Sequence, residues 1–113
     1  MPGKLTTHVL DVSGGIPAVG VKISVYRDGK LLHSAITNSN GRLDSPLLAG
    51  EQLIAGSYRI DFGIGDYFAA RGDEAAGRFL KVVPIAFEID DSGHDYHVPL
   101  LVSPWSYTTY RGS

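Results

Sequence analysis

The sequence predicts an all-β domain built as a sandwich of two antiparallel sheets, and three observations support this fold class. Apolar residues recur at every second position between breaks, which is typical of strands that bury one face. The 113 residues include 14 glycines and 6 prolines, and breakers this frequent leave little room for long helices. The apolar segments follow one another at intervals of about 8 to 15 residues, close to the strand spacing of sandwich folds.

About eight short strands are expected, joined by turns that their residue types indicate. Asp28-Gly29 tolerates the positive φ angles of a tight hairpin, and 38–41 (Asn-Ser-Asn-Gly) is a second turn cluster. A surface loop is expected at 45–52, one short helix within 65–80, and an edge position or bulge at Pro84. The clearest predicted strands are residues 5–11, 21–26, 31–36, 58–62, 83–89, 94–101 and 105–110.

Length and composition predict one globular domain, residues 1–113, and exclude several classes of protein. Hydrophobic residues at 43% and charged residues at 19% are not the composition of a disordered chain. The net charge of -2 offers no basic patch for nucleic acid or an anionic membrane. No apolar stretch approaches the roughly 18 residues of a membrane span, and no signal peptide is visible. The absence of cysteine excludes disulfides and thiolate chemistry.

Two histidines are candidates for acid–base chemistry. Alternation in the strand 5–11 places His8 on the face away from the core, and in the strand 94–101 it places His97 outward if Val98 is buried. Imidazole has an unperturbed pKa near 6.5, which suits proton transfer around neutral pH. Two outward histidines on different strands could therefore form an acid–base pair.

Each of these residues also has an ordinary interpretation. Any single histidine can be a surface or interface residue, and His33 and His94 are assigned to that class. A zinc site at His94-x-x-His97 is not expected, because strand residues three apart point to opposite faces. Arg42, after Gly41 in a turn, could present paired donors to a carbonyl or oxyanion, or could be a solvated turn residue.

Four motifs together resemble a known family over residues 5–113. They are Leu-Thr-Thr-His-Val-Leu-Asp at 5–11, Gly-Arg at 41–42, His-Val-Pro-Leu-Leu at 97–101 followed by Ser103-Pro104, and Tyr-Arg-Gly-Ser at 110–113. The chain resembles the 5-hydroxyisourate hydrolases, the transthyretin-related enzymes of purine catabolism. The terminal Tyr-Arg-Gly-Ser is specific, because it separates the hydrolases from the hormone-carrying transthyretins.

The resemblance implies a transthyretin-like (prealbumin-like) sandwich of two four-stranded antiparallel sheets with one short helix. It also implies a homotetramer with active sites at the interface between dimers. Members of the family occur in cytosol, periplasm and peroxisomes, and a cytoplasmic location is expected here because the first motif starts at residue 5 and there is no Ser-Lys-Leu-like ending. The implied reaction is hydrolysis of the small molecule 5-hydroxyisourate to 2-oxo-4-hydroxy-4-carboxy-5-ureidoimidazoline, in which water attacks a ring carbonyl and a cyclic amide bond opens. No cofactor and no metal are implied.

The resemblance also assigns roles to residues. The implied catalytic residues are His8, Arg42, His97 and Ser113, and the implied substrate-binding residues are His8, Arg42, Tyr110, Arg111, Gly112 and Ser113. Attack on a carbonyl needs a base for the water and a cationic donor for the developing oxyanion. His97 is assigned as the base, His8 as the residue that holds water or substrate and returns the proton, and Arg42 as the oxyanion donor. The sequence leaves open whether His8 or His97 is the base.

Two other functions stay open at this point. A transthyretin-like carrier would bind an aromatic ligand in the same channel without chemistry. A structural sandwich domain of an adhesion or periplasmic protein is also compatible with the composition. The two histidines, Arg42 and the Tyr-Arg-Gly-Ser ending favour the hydrolase.

Overall fold

Two β-sheets pack face to face, and the strands alternate between buried and exposed residues as the sequence predicts. The computed structural model describes residues 3–113. The strands are β1 (Lys4–Asp11), β2 (Ile16–Pro17), β3 (Lys22–Arg27), β4 (Lys30–Ile36), β5 (Leu48–Ala49), β6 (Gly56–Phe62), β7 (Val83–Ile89), β8 (Tyr96–Val102) and β9 (Tyr107–Thr109). One α-helix, α1, spans Ile64–Ala70, and a 3₁₀ turn spans Gly50–Gln52.

The first sheet carries the strands that contain both candidate histidines. Its order is β2-β1-β8-β9, with β5 also paired to β1, and the second sheet has the order β4-β3-β6-β7. Strands β1 and β8 run parallel, in a register that pairs Thr6 with His97 and His8 with Pro99. Because paired residues and their second neighbours share a face of a sheet, Thr6, His8 and His97 project from the same side.

The predicted two-sheet sandwich is confirmed, and three of its details are corrected. The first sheet has five strands because the two-residue strands β2 and β5 add to β1, and β1 pairs with β8 in parallel. Alternation reports which face a residue occupies but not the direction of the neighbouring strand, so parallel pairing between distant segments is invisible to it. The predicted loop at 45–52 contains β5, and Leu47 and Leu48 within it are buried.

The core fills the space between the sheets with the alternate side chains of the central strands. Leu5 and Val9 of β1 and Ile60 of β6 have no exposed surface. Burial of a large apolar side chain contributes about 1.5–3 kcal/mol, so these faces fix the orientation of each strand. The opposite face of β1 is thereby left to Thr6 and His8.

The single helix and the predicted turns also occur. Helix α1 buries Ile64, Tyr67 and Phe68, the spacing of one helical face, and it ends before Gly72 at φ 76°. The hairpin between β3 and β4 turns at Asp28-Gly29, where both φ angles are positive. Pro84 lies on β7, an edge of the second sheet, as its missing N–H requires. Within the described residues, no helix has the length and apolar character to cross a membrane.

Candidate active site

The turn at 38–42 is attached to β1 beside His8. The amide of Val9 donates to the carbonyl of Gly41 at 2.8 Å. Gly41 has φ 73°, and a β-carbon there would collide with the carbonyl oxygen of Val9. Only glycine allows this left-handed conformation at so close an approach, and the next residue, Arg42, is thereby held next to the histidine-bearing face.

His8 has a defined protonation site. Its Nε2 lies 2.9 Å from the carbonyl oxygen of Asn40, and since a carbonyl only accepts, Nε2 carries the proton and Nδ1 carries the lone pair. Burial and then the charge of Arg42 lower the pKa of His8 below its usual 6.5, while the hydrogen bond to Asn40 acts in the opposite direction. His8 is therefore mainly neutral at pH 7.

His97 is held through its other ring nitrogen. Nδ1 lies 2.8 Å from the hydroxyl oxygen of Thr6. Burial, Arg42 and then His8 lower the pKa of His97, and a hydrogen bond with the Thr6 backbone raises it. The Thr6 hydroxyl can accept a hydrogen bond from Nδ1 or donate one to it, so the contact engages Nδ1 under either tautomer and leaves Nε2 as the other ring nitrogen.

The C-terminal tail lies against His97. The amide of Gly112 donates to the carbonyl of His97 at 2.8 Å, and the two residues form an antiparallel bridge. A β-carbon on Gly112 would collide with the imidazole ring of His97. Glycine at this position is what lets the tail run beside the ring and bring Ser113 to the same site.

A cleft of about 480 Å³, lined mostly by polar residues, joins three of the predicted catalytic residues: Arg42, His97 and Ser113. Thr6 also lines it, together with Lys4, Thr7, Leu43, Asp44, Ser45, Pro46 and Asp95. His8 is not among the residues that line this cleft, but it is close enough to His97 for its charge to lower the pKa of that ring.

Two of the predicted substrate-binding residues lie elsewhere in the single chain. Tyr110 and Arg111 line a second groove of about 360 Å³, which shares His97 with the first cleft. The guanidinium of Arg111 stacks over the ring of Tyr96, 4.6 Å from its centroid. Within one chain, the structure therefore brings Ser113 into the cleft with Arg42 and leaves Tyr110 and Arg111 in the neighbouring groove.

Three contributors to the site were not found from the sequence: Thr6, Asn38 and the carbonyl of Asn40. Thr6 could have been found, because alternation places it on the same face as His8 two residues along the strand. Asn38 heads the turn cluster, but the partners of its side chain depend on the folded loop.

The histidine pair considered for zinc is not arranged on one strand. His94 precedes β8, and its Nε2 lies 3.1 Å from a carboxylate oxygen of Asp91. Among residues 3–113, no three side chains of the metal-ligating types are grouped as a metal site.

The fold and the cleft together define a class: a β-sandwich with a site suited to adding water to a polar carbonyl compound. Neutral imidazoles can take a proton from water, and a guanidinium can stabilise an oxyanion. The chain belongs to the HIUase/Transthyretin family, whose model matches residues 5–112.

Curated relatives match the chain over its whole length. A 5-hydroxyisourate hydrolase of Halalkalibacterium halodurans is 48% identical and covers 100% of both chains. A 5-hydroxyisourate hydrolase of Ralstonia nicotianae is 49% identical over 98% of this chain and 99% of its own.

Solved structures show the same fold. The 5-hydroxyisourate hydrolase of Klebsiella pneumoniae is 38% identical with a TM-score of 0.85, covering 98% of this chain and 100% of its own. An (S)-allantoin synthase is 43% identical with a TM-score of 0.94, and the match covers 99% of this chain but 44% of that longer one.

Proposed function

We propose that this protein is a cyclic amide hydrolase that converts 5-hydroxyisourate to 2-oxo-4-hydroxy-4-carboxy-5-ureidoimidazoline, and that the reaction takes place at the cleft of Arg42, His97 and Ser113. The relatives that match over the full chain carry the name of that enzyme. The observation that carries the proposal is the cleft that brings His97 together with Arg42 and Ser113. Burial and the charge of Arg42 lower the pKa of His97 and of the neighbouring His8.

His97 is the general base of the proposed mechanism. In this mechanism Nδ1 donates a hydrogen bond to the Thr6 hydroxyl 2.8 Å away, and Nε2 accepts a proton from water. The lowered pKa keeps the ring neutral at pH 7, the state that a base needs. Positioned general bases typically contribute about 10²–10⁴-fold to a rate.

His8 and Arg42 complete the proton and charge transfers. His8 has its lone pair on Nδ1 because Asn40 engages Nε2, so Nδ1 can accept a hydrogen bond from water or substrate. The proton that His97 takes from water passes to Nδ1 of His8 and from there to the departing nitrogen, so both rings end the cycle neutral. Arg42 stabilises the oxyanion formed on the attacked carbonyl, an interaction whose loss costs about 3–4 kcal/mol elsewhere. Ser113 supplies a hydroxyl or carboxylate contact to the substrate.

We further propose a homotetramer whose active sites lie between dimers. The side chains of His8 and His97 face outward from the monomer core. Tyr110 and Arg111 lie outside the cleft of their own chain, so substrate contacts by these two residues would come from another subunit. Analytical ultracentrifugation of the active enzyme should show a tetramer, and a stable, fully active monomer would contradict the assembly.

The activity is tested directly with its substrate. 5-Hydroxyisourate is generated with urate oxidase, and its ultraviolet absorbance is followed with and without the protein. The expected result is a decay faster than the spontaneous one and proportional to protein concentration. A decay equal to the spontaneous one would overturn the hydrolase and favour the carrier.

The base is tested with two matched variants, His97→Asn and His8→Asn. If His97 is the base, His97→Asn loses about 10²-fold or more in kcat, and His8→Asn loses less. The opposite order would exchange the two roles.

Two further expectations also remain proposals. We propose that residues 1–113 form one domain, although Met1 and Pro2 lie outside the described residues; a single cooperative unfolding transition is expected in calorimetry. We also propose a cytoplasmic location, which cell fractionation with activity measurement would test.

A further inference from the structure

Asn38 makes five hydrogen bonds within residues 38–44, the segment that carries Arg42. Its side-chain oxygen accepts from the amides of Asn40 at 2.9 Å and Arg42 at 3.2 Å. Its side-chain nitrogen donates to a carboxylate oxygen of Asp44 at 2.9 Å. Its backbone amide donates to the carbonyl of Arg42, and its carbonyl accepts from the amide of Gly41.

The two residues that Asn38 holds through its side chain are those that reach the proposed catalytic groups. Asn40 presents the carbonyl that accepts the Nε2 proton of His8. Arg42 carries the charge that lowers the pKa of both histidines. The side chain of Asn38 therefore orients both the carbonyl that fixes the tautomer of His8 and the backbone of Arg42.

The ends of the turn are anchored independently of this side chain. Thr37, which is 3% exposed, donates its hydroxyl to the carbonyl of Ala18 and accepts from the amide of Val21. At the other end, Gly41 is bound to Val9. Loss of the Asn38 side chain is thus expected to loosen the middle of the turn without detaching it from the sheet.

We propose that Asn38 is a positioning residue of the hydrolase, whose side-chain amide aims the Asn40 carbonyl at His8 and holds Arg42 beside both histidines. The inference rests on the proposed function and adds to it a residue that does not touch substrate. An amide suits this position because its oxygen accepts twice while its separate nitrogen donates once. An ionised carboxylate cannot donate, and a hydroxyl would have to make all three contacts through one oxygen atom.

The first test is Asn38→Ala against Ser39→Ala. Ser39 lies in the same turn, is exposed, and its side chain makes no hydrogen bond to residues 3–113. Asn38→Ala should lower kcat/KM by about 10- to 100-fold, the usual effect of small misplacements of catalytic groups. Ser39→Ala should stay at the wild-type value.

The second test exchanges the side chains of Asn38 and Asp44. Asn38→Asp keeps both acceptor contacts but sets its carboxylate against that of Asp44, so kcat/KM should fall. The double variant N38D/D44N restores one donor and one acceptor at unchanged net charge, so it should recover most of the loss. If Asn38 only stabilised the fold, variants with the unfolding midpoint of the wild type would not lose kcat/KM in Asn38→Asp and regain it in N38D/D44N.

Ring-nitrogen NMR of His8 separates this inference from the proposed function. In Asn38→Ala, the signal should move from a single tautomer toward an average of the two, whether or not the protein hydrolyses 5-hydroxyisourate. A wild-type His8 tautomer in Asn38→Ala would overturn the positioning role, as would wild-type kcat/KM in an active enzyme. An inactive wild type with a changed His8 tautomer in the variant would overturn the hydrolase alone.

Discussion

The hydrogen-bond partners of His8 and His97 decide which ring nitrogen is free for chemistry. Asn40 engages Nε2 of His8, and Thr6 engages Nδ1 of His97. Both rings have lowered pKa values, with burial as the largest cause and Arg42 as the next. At the scale of single residues, the site is therefore defined as much by Thr6 and Arg42 as by the histidines.

Removal of the Thr6 hydroxyl should weaken the proposed base. Thr6→Val preserves shape and strand preference but leaves Nδ1 of His97 without its partner, so both tautomers become accessible. We expect kcat to fall by about 10-fold or more, while Thr6→Ser retains most activity. Steady-state kinetics on variants of equal thermal stability measure this, and wild-type kcat in Thr6→Val would contradict it.

Removal of the Arg42 charge should move the acid limb of the pH profile. Arg42 lowers the pKa of both histidines, so Arg42→Gln raises both values and fewer rings are neutral at a given acidic pH. The limb of kcat/KM, which requires neutral histidine, should therefore shift to higher pH. Arg42→Lys keeps the charge and is the control for the limb position. An unshifted limb in Arg42→Gln would show that the charge does not act on the base.

At the scale of elements, two glycines allow chain segments to approach β1 and β8. Gly41 brings the turn at 38–42 against the carbonyl of Val9, and Gly112 brings the C-terminal tail against the ring of His97. Each of these contacts positions a proposed catalytic residue, because Arg42 follows Gly41 and Ser113 follows Gly112. A glycine therefore precedes each of these two residues because a β-carbon at that position would collide with the neighbouring strand.

Gly41→Ala should lower both stability and activity. The left-handed conformation costs a side chain about 1–2 kcal/mol, and the clash with the Val9 carbonyl adds to it. Gly72→Ala is the matched control, because Gly72 has a similar φ of 76° with no atom within 4 Å of the β-carbon position. Urea unfolding should show a larger loss of unfolding free energy for Gly41→Ala than for Gly72→Ala. An equal loss would mean that the contact with the Val9 carbonyl adds nothing to the cost of the left-handed conformation.

At the scale of the whole molecule, a buried carboxylate connects the first sheet to α1. Asp11, 1% exposed, accepts hydrogen bonds from Ser13, Gly14 and Tyr67, and its Oδ2 lies 3.6 Å from Nε of Arg71. Burial by itself raises the pKa of Asp11, but these partners outweigh it and the net pKa is lowered. Burial and the bond to Asp11 raise the pKa of Tyr67 to about 12, so its hydroxyl remains a donor.

The lowered pKa of Asp11 predicts a contribution to acid stability. The folded protein holds this carboxyl ionised more strongly than the unfolded chain, so its stabilisation is complete above the unfolded pKa near 3.9 and is lost as the pH falls through the folded value. Asp11→Asn should lower the free energy of unfolding at pH 7 by roughly 1.5–3 kcal/mol, the value of a hydrogen bond to a charged group.

The control for this prediction is Asp28→Asn, in the exposed hairpin, where a change within about 0.5 kcal/mol is expected. Urea unfolding at pH 7 and at pH 3 should show the difference between wild type and Asp11→Asn narrowing in acid. A difference that stays constant with pH would show that the ionised form of Asp11 is not the stabilising one.

The sequence by itself determined the local properties of this protein. Alternation assigned His8 and His97 to the outward faces of their strands, Asp28-Gly29 indicated the hairpin, and the missing N–H of Pro84 indicated an edge position or a bulge. Each of these follows from the geometry of a few adjacent residues.

Only the tertiary structure decided which distant residues meet. The parallel pairing of β1 with β8 brings Thr6 to His97 across 91 positions of sequence, and the folded turn gives Asn38 its partners. The same packing separates Ser113 from Tyr110 and Arg111 within one chain. Register and direction between distant strands depend on how the chain crosses between sheets, and side-chain periodicity carries no information about that crossing.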